Sequence, residues 1–402
     1  MYSSLDRLEA AMARHISVLA SDDFGGRQPG TDGEAKTLRY LAREWQAAGL
    51  ESGTNDPAHP WFEPVELLLS TPTGSDISFQ KGRKRVAFDS SDDDPVIVFT
   101  SGRRSLVENA PLLLVGRHGI DLDRSELAGR VAIMLWDHPE EREQREALIE
   151  KGAAAVLAIV PEREELAELV AHRKHGQYLL KDEDSGTALD GYLSLETAKT
   201  LFGQDVIDQF IPDNNARPYP LKMTATMEAT SKLADVQTHN LIARLPGKNP
   251  DAGAVLVVAH WDHFGHCGDS IDTSQICHGA VDNASGLAFV TELARILASG
   301  QRMDRDVYFR ATTAEEWGLL GARAFAQEPA LPLTDIVAAF NVDSIAVAPR
   351  GTSLSILGRG LTNLDHDIEN VARKMGRHVN GAGPEVQYLR RQDVWALLQR
   401  DV

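Results

Sequence analysis

Three apolar stretches of the chain end in residues that can bind metal ions or move protons. "AVLVVAH" finishes at His260, "DVYFRATTA" leads into Glu315 and Glu316, and "IVAAFNVD" finishes at Asp343. Another acid, Asp282, lies in the glycine-flanked turn "GAVDNASG" just before an apolar helical pattern. Carboxylates brought together in an apolar frame either bind cations or become protonated, and nitrogen and oxygen ligands suit zinc and similar metals. The residue types therefore predict a metal centre.

The spacing of these residues indicates different tasks. Residues two apart in a strand face the same side, so we expect His260 to bind a metal while Asp262 fixes its imidazole ring. Glu315 and Glu316 are adjacent and face apart, so one is expected to bind a metal and the other to act as a general base on a water beside it. Spacing alone leaves open which glutamate has which task.

Each of these residues also has a structural explanation when it is considered alone. The His-Trp-Asp-His segment at residue 260 can be a hydrogen-bonded strand end, and the glutamate pair can begin a solvated helix. Asp282 can cap a helix, and Asp343 can be a turn acid. Four such features at the predicted strand ends of one sheet are much harder to explain in this way. Their combination favours the metal centre.

The elements that must position these residues form an α/β pattern. After residue 235, apolar strands alternate with helices such as "SGLAFVTELARILASG", which predicts a mostly parallel central sheet flanked by helices. Ligand sites of such sheets lie at the carboxyl ends of the strands. The first 50 residues are predicted as helix, loop and helix. We therefore predict one discontinuous domain, residues 1–65 and 235–402, interrupted by a smaller β-rich α/β domain at residues 66–234.

Composition narrows the function classes. The 402 residues carry a formal net charge of −18, which argues against a nucleic-acid partner. The sequence lacks a run of 18 apolar residues that would predict a membrane span, and its first residues lack the pattern of a signal peptide. The two cysteines, Cys267 and Cys277, permit a disulfide without requiring one. For the loop that contains them, a disulfide or ordinary packing is favoured over a second zinc site.

Four motifs in this order and spacing resemble peptidase family M28, which contains zinc aminopeptidases. They are "VVAHWDHFG", "HGAVDNASGLAFVTELAR", "TTAEEWGLLGARAFA" and "AFNVDS". The opening segment "LASDDFGGRQPGTDGEAKTLRYLAREWQAAGL" is similar to the start of the family's members. The insert, with "ELAGRVAIMLWD" and "ALIEKGAAAVLAIV", resembles a protease-associated (PA) domain. The resemblance implies the zinc-peptidase fold, phosphorylase/hydrolase-like, with a PA-like insert at residues 66–234.

The resemblance also assigns roles to single residues. It implies that His260 and Asp343 are ligands of one zinc ion, that Asp282 bridges two zinc ions and that Glu316 is a ligand of the second. Glu315 is then the general base, and Asp262 supports His260. The family's second zinc takes a further histidine from a segment near the C-terminus. This sequence ends at "LLQRDV" without that histidine, and we expect that the chain is truncated.

The implied function is that of a zinc-dependent exopeptidase, an aminopeptidase acting on peptides through a metal-bridged hydroxide with a glutamate general base. Two alternatives remain open at this point. One is a single-zinc acyltransferase of the glutaminyl-cyclase type, and the other is a non-catalytic binding ectodomain of the same fold. The resemblance implies a periplasmic or extracellular location, although the absent signal peptide leaves a cytoplasmic one open.

Overall fold

The computed structural model describes residues 4–88, 96–116, 122–136, 141–182, 188–211, 217–267, 275–345, 347–349, 351–380, 386–400 and 402. The chain divides into two compact units, residues 1–67 with 236–402, and residues 68–235. The predicted domain boundaries, after residues 65 and 234, stay a prediction. The assignment of the second unit as a PA-like domain stays a prediction.

Most strands have seven residues or fewer, and β2, β5 and β10 are longer. In chain order they are β1 (Glu51–Ser52), β2 (Phe62–Lys81), β3 (Lys84–Phe88), β4 (Val96–Thr100), β5 (Arg104–Gly116), β6 (Val131–Leu135), β7 (Ala155–Val160), β8 (Gln177–Leu180), β9 (Leu189–Ser194), β10 (Tyr219–Leu245), β11 (Ala254–His260), β12 (His266–Cys267), β13 (Gln275–Ile276), β14 (Asp306–Thr312) and β15 (Ile336–Asn341).

The α-helices are mostly amphipathic. In chain order they are α1 (Ser4–Leu19), α2 (Asp32–Ala47), α3 (Arg124–Leu127), α4 (Glu141–Glu150), α5 (Arg163–Lys174), α6 (Leu195–Phe202), α7 (Gln204–Phe210), α8 (Gly286–Ser299), α9 (Leu320–Gln327), α10 (Asp365–Lys374), α11 (Val386–Leu389) and α12 (Val394–Leu398). Within the described ranges, no helix is both long and apolar enough to cross a membrane.

The first unit contains the predicted parallel sheet. β11 pairs in parallel with β14 on one side and β15 on the other. Residues 241–245, the end of β10, pair antiparallel with β14. His260 is opposite Thr312 in this register, so β11 and β14 end at the same edge of the sheet. The predicted fold class, a mostly parallel sheet flanked by helices, is confirmed.

Side chains of β11 alternate between two apolar layers because successive strand residues point to opposite faces. Val257 and Ala259 pack in the layer that contains α2 and α8, while Leu256 and Val258 pack in the layer that contains α9. Burial on both faces explains why this strand is a continuous apolar run. β15 differs, because Val337 and Phe340 are 46% and 41% exposed. β15 lies at the edge of the sheet, and its one β-strand partner among the described residues is β11.

The second unit has its own parallel core. β5, β6, β7 and β9 pair in parallel in that order, and β4 pairs antiparallel with β9. Two apolar layers cover the two faces, with Ile133 and Leu157 in one and Ala132 and Val156 in the other. This unit therefore supplies its own hydrophobic core.

Candidate metal centre

His260 is the last residue of β11, and its ring is 1% exposed. Its Nδ1 lies 3.2 Å from the backbone oxygen of Asp262. A carbonyl oxygen only accepts hydrogen bonds, so Nδ1 is the donor in this contact, and Nε2 is the ring atom that points away from it. That Nε2 lies 3.0 Å from Asp282 Oδ1, 3.4 Å from Asp343 Oδ1 and 3.9 Å from Glu315 Oε2. One ring nitrogen thus faces three carboxylates.

The fully buried Asp262 joins the ends of β11 and β14. Its Oδ1 accepts a hydrogen bond from the Glu315 N–H at 3.1 Å, and its Oδ2 accepts one from the Glu316 N–H at 3.3 Å. Its carboxylate is 3.8 Å from His260 Nδ1, too far for a hydrogen bond. The strand ends at His260, so Asp262 lies beyond the regular alternation from which its role was predicted. In this structure its backbone oxygen orients the imidazole, and its side chain holds the glutamate pair.

Asp282 and Asp343 lie on two loops that Asn283 connects. The Asn283 Nδ2 donates to the Val342 oxygen at 3.0 Å, and its Oδ1 accepts from the Ser344 N–H at 3.3 Å. Gly286 permits this close approach, because a Cβ there would lie 2.4 Å from the Val342 oxygen. The buried amide of Asn283 therefore sets the distance between the two aspartates.

The two adjacent glutamates point to different partners. Glu315 Oε2 faces His260 Nε2 at 3.9 Å, whereas the Glu316 carboxylate contacts Nδ1 of His263. Both side chains are largely buried. The two side chains therefore point in different directions, and the roles of the two glutamates are proposals.

Arg27, in the segment "FGGRQPG", is a fully buried cation next to these acids. It reaches the loops on both sides of the site through four hydrogen bonds to backbone oxygens, which are those of Leu19, Trp261, His278 and Gly279, at 2.7–2.9 Å. Gly279 has φ 56°, and a Cβ there would lie 2.4 Å from Arg27 Nη2. Sequence reasoning did not find Arg27. Its four acceptors are backbone oxygens, which every residue has, so the sequence does not show which residues Arg27 contacts.

Asp393 is a second residue that sequence reasoning did not assign to the site. It is 2% exposed, accepts a hydrogen bond from the Thr312 hydroxyl, and its Oδ1 has no hydrogen-bond partner in the described part of the chain. The term acidic cluster denotes the six carboxylates that converge on this edge of the sheet, namely those of Asp262, Asp282, Glu315, Glu316, Asp343 and Asp393.

Burial and like charge shift the pKa values of this cluster. Burial raises the pKa of the Asp262 carboxyl to about 7, and the charge of Glu316 adds to the effect while His260 opposes it. Burial likewise raises the pKa of Glu315 well above its ordinary value. For His260, burial lowers the pKa, but the surrounding carboxylates, Glu315 foremost, outweigh it and raise the pKa well above 6.5. These shifts mark a site with more negative charge than its own residues neutralise.

Two groups of residues could hold a metal ion. The potential ligand atoms of His260, Asp282 and Glu316 all lie within 4.8 Å of one another, as do those of His260, Glu315 and Asp343. His260 Nε2 and Asp282 Oδ1 are buried and have no hydrogen-bond partner among the described residues. Such atoms are costly unless a cation satisfies them. The residues present therefore fit a metal ion with nitrogen and oxygen ligands, as zinc prefers.

The loop between His260 and Asp282 contains the two cysteines. Cys267 and Cys277 form a disulfide, with their Cα atoms 5.7 Å apart. Nearby, His278 Nε2 lies 2.7 Å from Asp22 Oδ1. The Cys267–Cys277 disulfide agrees with the expectation of a disulfide rather than a second zinc site in this loop.

Comparison with known proteins identifies the region that carries the cluster. Residues 240–402 match the family model of peptidase family M28. A 101-residue segment is 36% identical to a vacuolar membrane protease of Yarrowia lipolytica and covers 24% of this chain and 9% of that protein. A 162-residue segment is 29% identical to a probable zinc metalloprotease of Pyrenophora tritici-repentis and covers 36% of this chain and 37% of that protein. The chain thus spans well under half the length of these relatives.

An aminopeptidase from Aneurinibacillus sp. strain AM-1 has a similar solved structure. The TM-score is 0.55 with 16% identity, over 98% of this chain and 83% of that one. Identity this low establishes a shared fold only.

The names of the relatives correct the predicted location. The prediction of a periplasmic or extracellular protein rested on family resemblance alone. It was wrong by this comparison, because several of the curated relatives are named as vacuolar membrane proteases of fungi. Residues 240–402, which contain the whole acidic cluster, are the part of the chain that is similar to peptidase family M28.

Proposed function

We propose that this chain is a zinc-dependent aminopeptidase that hydrolyses the first peptide bond of peptides with a free N-terminus. The supporting observation is the pair of buried atoms His260 Nε2 and Asp282 Oδ1, which lie 3.0 Å apart without hydrogen-bond partners among the described residues. The match of residues 240–402 to the peptidase family M28 model supports peptide hydrolysis as the reaction class. One relative is named as a probable zinc metalloprotease, and one structural neighbour is named as an aminopeptidase.

The proposed ligands form two overlapping sets. His260 and Asp343 would hold one zinc ion, Glu316 would hold a second, and Asp282 would contact both. Zinc bound there would supply the positive charge that polarises the substrate carbonyl and lowers the pKa of the attacking water. The number of bound ions is part of the proposal, since the two sets share Asp282.

Glu315 is the proposed general base. Its carboxylate would take a proton from the attacking water and transfer it to the nitrogen of the leaving amine, so that a C–O bond forms and the C–N bond breaks. Asp262 would keep Glu315 in place through the hydrogen bond to its N–H. The excess negative charge of the acidic cluster would also attract the ammonium group of a free N-terminus, which favours an aminopeptidase.

The replacement Glu315→Gln tests this assignment. It keeps the size of the side chain and removes its ability to accept a proton, so we expect kcat to fall by about 10²–10⁴-fold. Zinc content should stay close to that of the wild type, because Glu315 is not a proposed ligand. Initial rates on aminoacyl-p-nitroanilides and elemental analysis of the purified protein measure the two quantities.

The exposed Glu328 at the end of α9 provides the matched control. Glu328→Gln should change neither kcat nor zinc content. A Glu315→Gln variant with near-normal kcat would remove Glu315 from the mechanism. Equal hydrolysis of a peptide and its N-acetylated form would contradict the aminopeptidase assignment, because the acetyl group removes the N-terminal charge.

A further inference from the structure

His263 lies beside the metal centre without belonging to either group of potential ligands. Its Nδ1 contacts Oε1 of Glu316. A carboxylate accepts hydrogen bonds, so Nδ1 is the donor in this pair. The other carboxylate oxygen of Glu316 then remains available for a cation. A hydrogen bond of this kind orients a metal-binding carboxylate in many metal sites.

The position of the His263 ring is fixed on several sides. Its backbone N–H donates to the Arg27 oxygen at 3.2 Å. Its Cδ2 edge lies against Gly279, where an added Cβ would be only 2.8 Å away. The Phe264 ring lies 4.9 Å from the His263 ring, and the Trp317 ring lies 5.6 Å from Phe264. The imidazole is therefore held edgewise between Gly279 and Glu316.

Two consecutive residues thus hold the two ends of Glu316. Asp262 accepts the hydrogen bond of its backbone N–H, and His263 donates one to its side chain. Both residues lie within three positions of His260, the last residue of β11. The segment that provides a metal ligand from one strand therefore also fixes the ligand that follows the neighbouring strand.

We infer that His263 is a positioning residue for Glu316: its Nδ1–H holds the carboxylate in the orientation that binds the second metal ion. This inference rests on the proposed function, in which Glu316 is a ligand. It assigns His263 a hydrogen bond and not a metal bond. Asparagine places an amide N–H donor where histidine has Nδ1, so it can replace the hydrogen bond without the ring.

The test compares zinc binding by the full chain as wild type and as His263→Ala, His263→Phe and His263→Asn. Zinc content is measured by elemental analysis, and affinity by competition with a chromophoric chelator. We expect Ala and Phe to weaken the weaker-bound zinc by about 10–100-fold. The zinc affinity of His263→Asn should lie within about threefold of that of the wild type. Phe keeps the ring packing against Gly279, so it isolates the hydrogen bond if the Ala variant unfolds.

The exposed His366 on α10 supplies the matched controls His366→Ala and His366→Asn, which should leave zinc affinity unchanged. Unchanged zinc affinity in His263→Phe would overturn the inference. So would an Asn variant as weak as Ala and Phe, because the imidazole itself would then be the ligand. A wild type that binds no zinc would overturn the proposed function, and this inference with it, before any variant is compared.

Discussion

Two clusters of buried charged residues, one in each unit, differ in how their charges balance. In the unit of residues 68–235, Asp190 accepts hydrogen bonds from Arg173 at 2.7 and 3.0 Å and contacts Arg145, and Arg145 lies 3.2 Å from Glu141. We call these four residues the balanced cluster, because two cations face two anions. The acidic cluster of the other unit has six carboxylates, and the arginines that interact with it include Arg27 and Arg310.

The two clusters shift the pKa values of their buried aspartates in opposite directions. Burial acts to raise the pKa of Asp190, but Arg173 and Arg145 outweigh it and lower the pKa to about 2. Burial raises the pKa of Asp262 to about 7, and the neighbouring Glu316 adds to it. Asp262 is completely buried and Asp190 nearly so. The opposite pKa shifts therefore follow from the neighbouring charges and not from burial. A cluster that its own residues neutralise stabilises the fold, whereas a cluster with excess charge indicates a missing cation.

The largest expected effect comes from removing Arg27 from beside the acidic cluster. Arg27→Met would remove four hydrogen bonds to backbone oxygens and a positive charge that interacts with Asp262 and Asp282. We expect the free energy of unfolding to fall by about 3–5 kcal/mol, as for other buried charges that lose their partner. Urea unfolding of the metal-free proteins measures it.

Arg39→Met, at an exposed position of α2, is the control and should change the unfolding free energy by less than about 0.5 kcal/mol. A loss below about 1 kcal/mol for Arg27→Met would show that the acidic cluster does not depend on this cation. The contrast between the two clusters would then need another explanation.

Zinc should stabilise one unit and not the other. At a free zinc concentration about 100 times the dissociation constant, we expect the free energy of unfolding of the zinc-binding unit to rise by about 2.7 kcal/mol. Hydrogen exchange followed by mass spectrometry separates the units: protection should rise in peptides from residues 254–312 and stay unchanged in peptides from residues 131–160. Asp282→Ala should abolish the response. Equal protection of both units would contradict a zinc site confined to the acidic cluster.

The sequence predicted the parts of the acidic cluster that depend on local pattern. Apolar runs located β11 and β14, and parallel pairing brings their carboxyl ends to one edge of the sheet. This sufficed to place His260 and Glu315 together. The exposure of Val337 and Phe340 on β15 was missed, because an apolar run does not reveal whether a strand lies at the centre or at the edge of a sheet.

The sequence could not predict contacts between distant residues that follow no periodicity. Arg27 donates to the oxygen of Trp261, 234 positions away, and a backbone acceptor is present in every residue. The balanced cluster was missed for a related reason. Arg145 lies in "EREQREALIE", which has the composition of an ordinary solvated helix, and its burial depends on Asp190 in a strand formed later in the chain.

The smallest expected effect tests the balanced cluster through pH. Asp190→Asn removes an anion whose pKa is about 2 in the folded chain and about 3.9 when unfolded. A lowered pKa stabilises the fold above the unfolded value, and that stability is lost as the pH falls through the folded value. The free energy of unfolding of the wild type should therefore exceed that of the variant by about 2.5 kcal/mol at pH 7, and by about half of that at pH 3.

Hydrogen exchange in peptides from residues 131–160 measures this difference at pH 7, 4 and 3, after correction for the intrinsic exchange rate at each pH. The exposed Asp182→Asn is the control, with no expected difference at any pH. A difference that stays constant between pH 7 and 3 would mean that Asp190 acts through its shape and not its charge. If the difference shrinks as expected, the two clusters are electrostatic opposites: one is stabilised by its own arginines, and the other depends on a cation from solution.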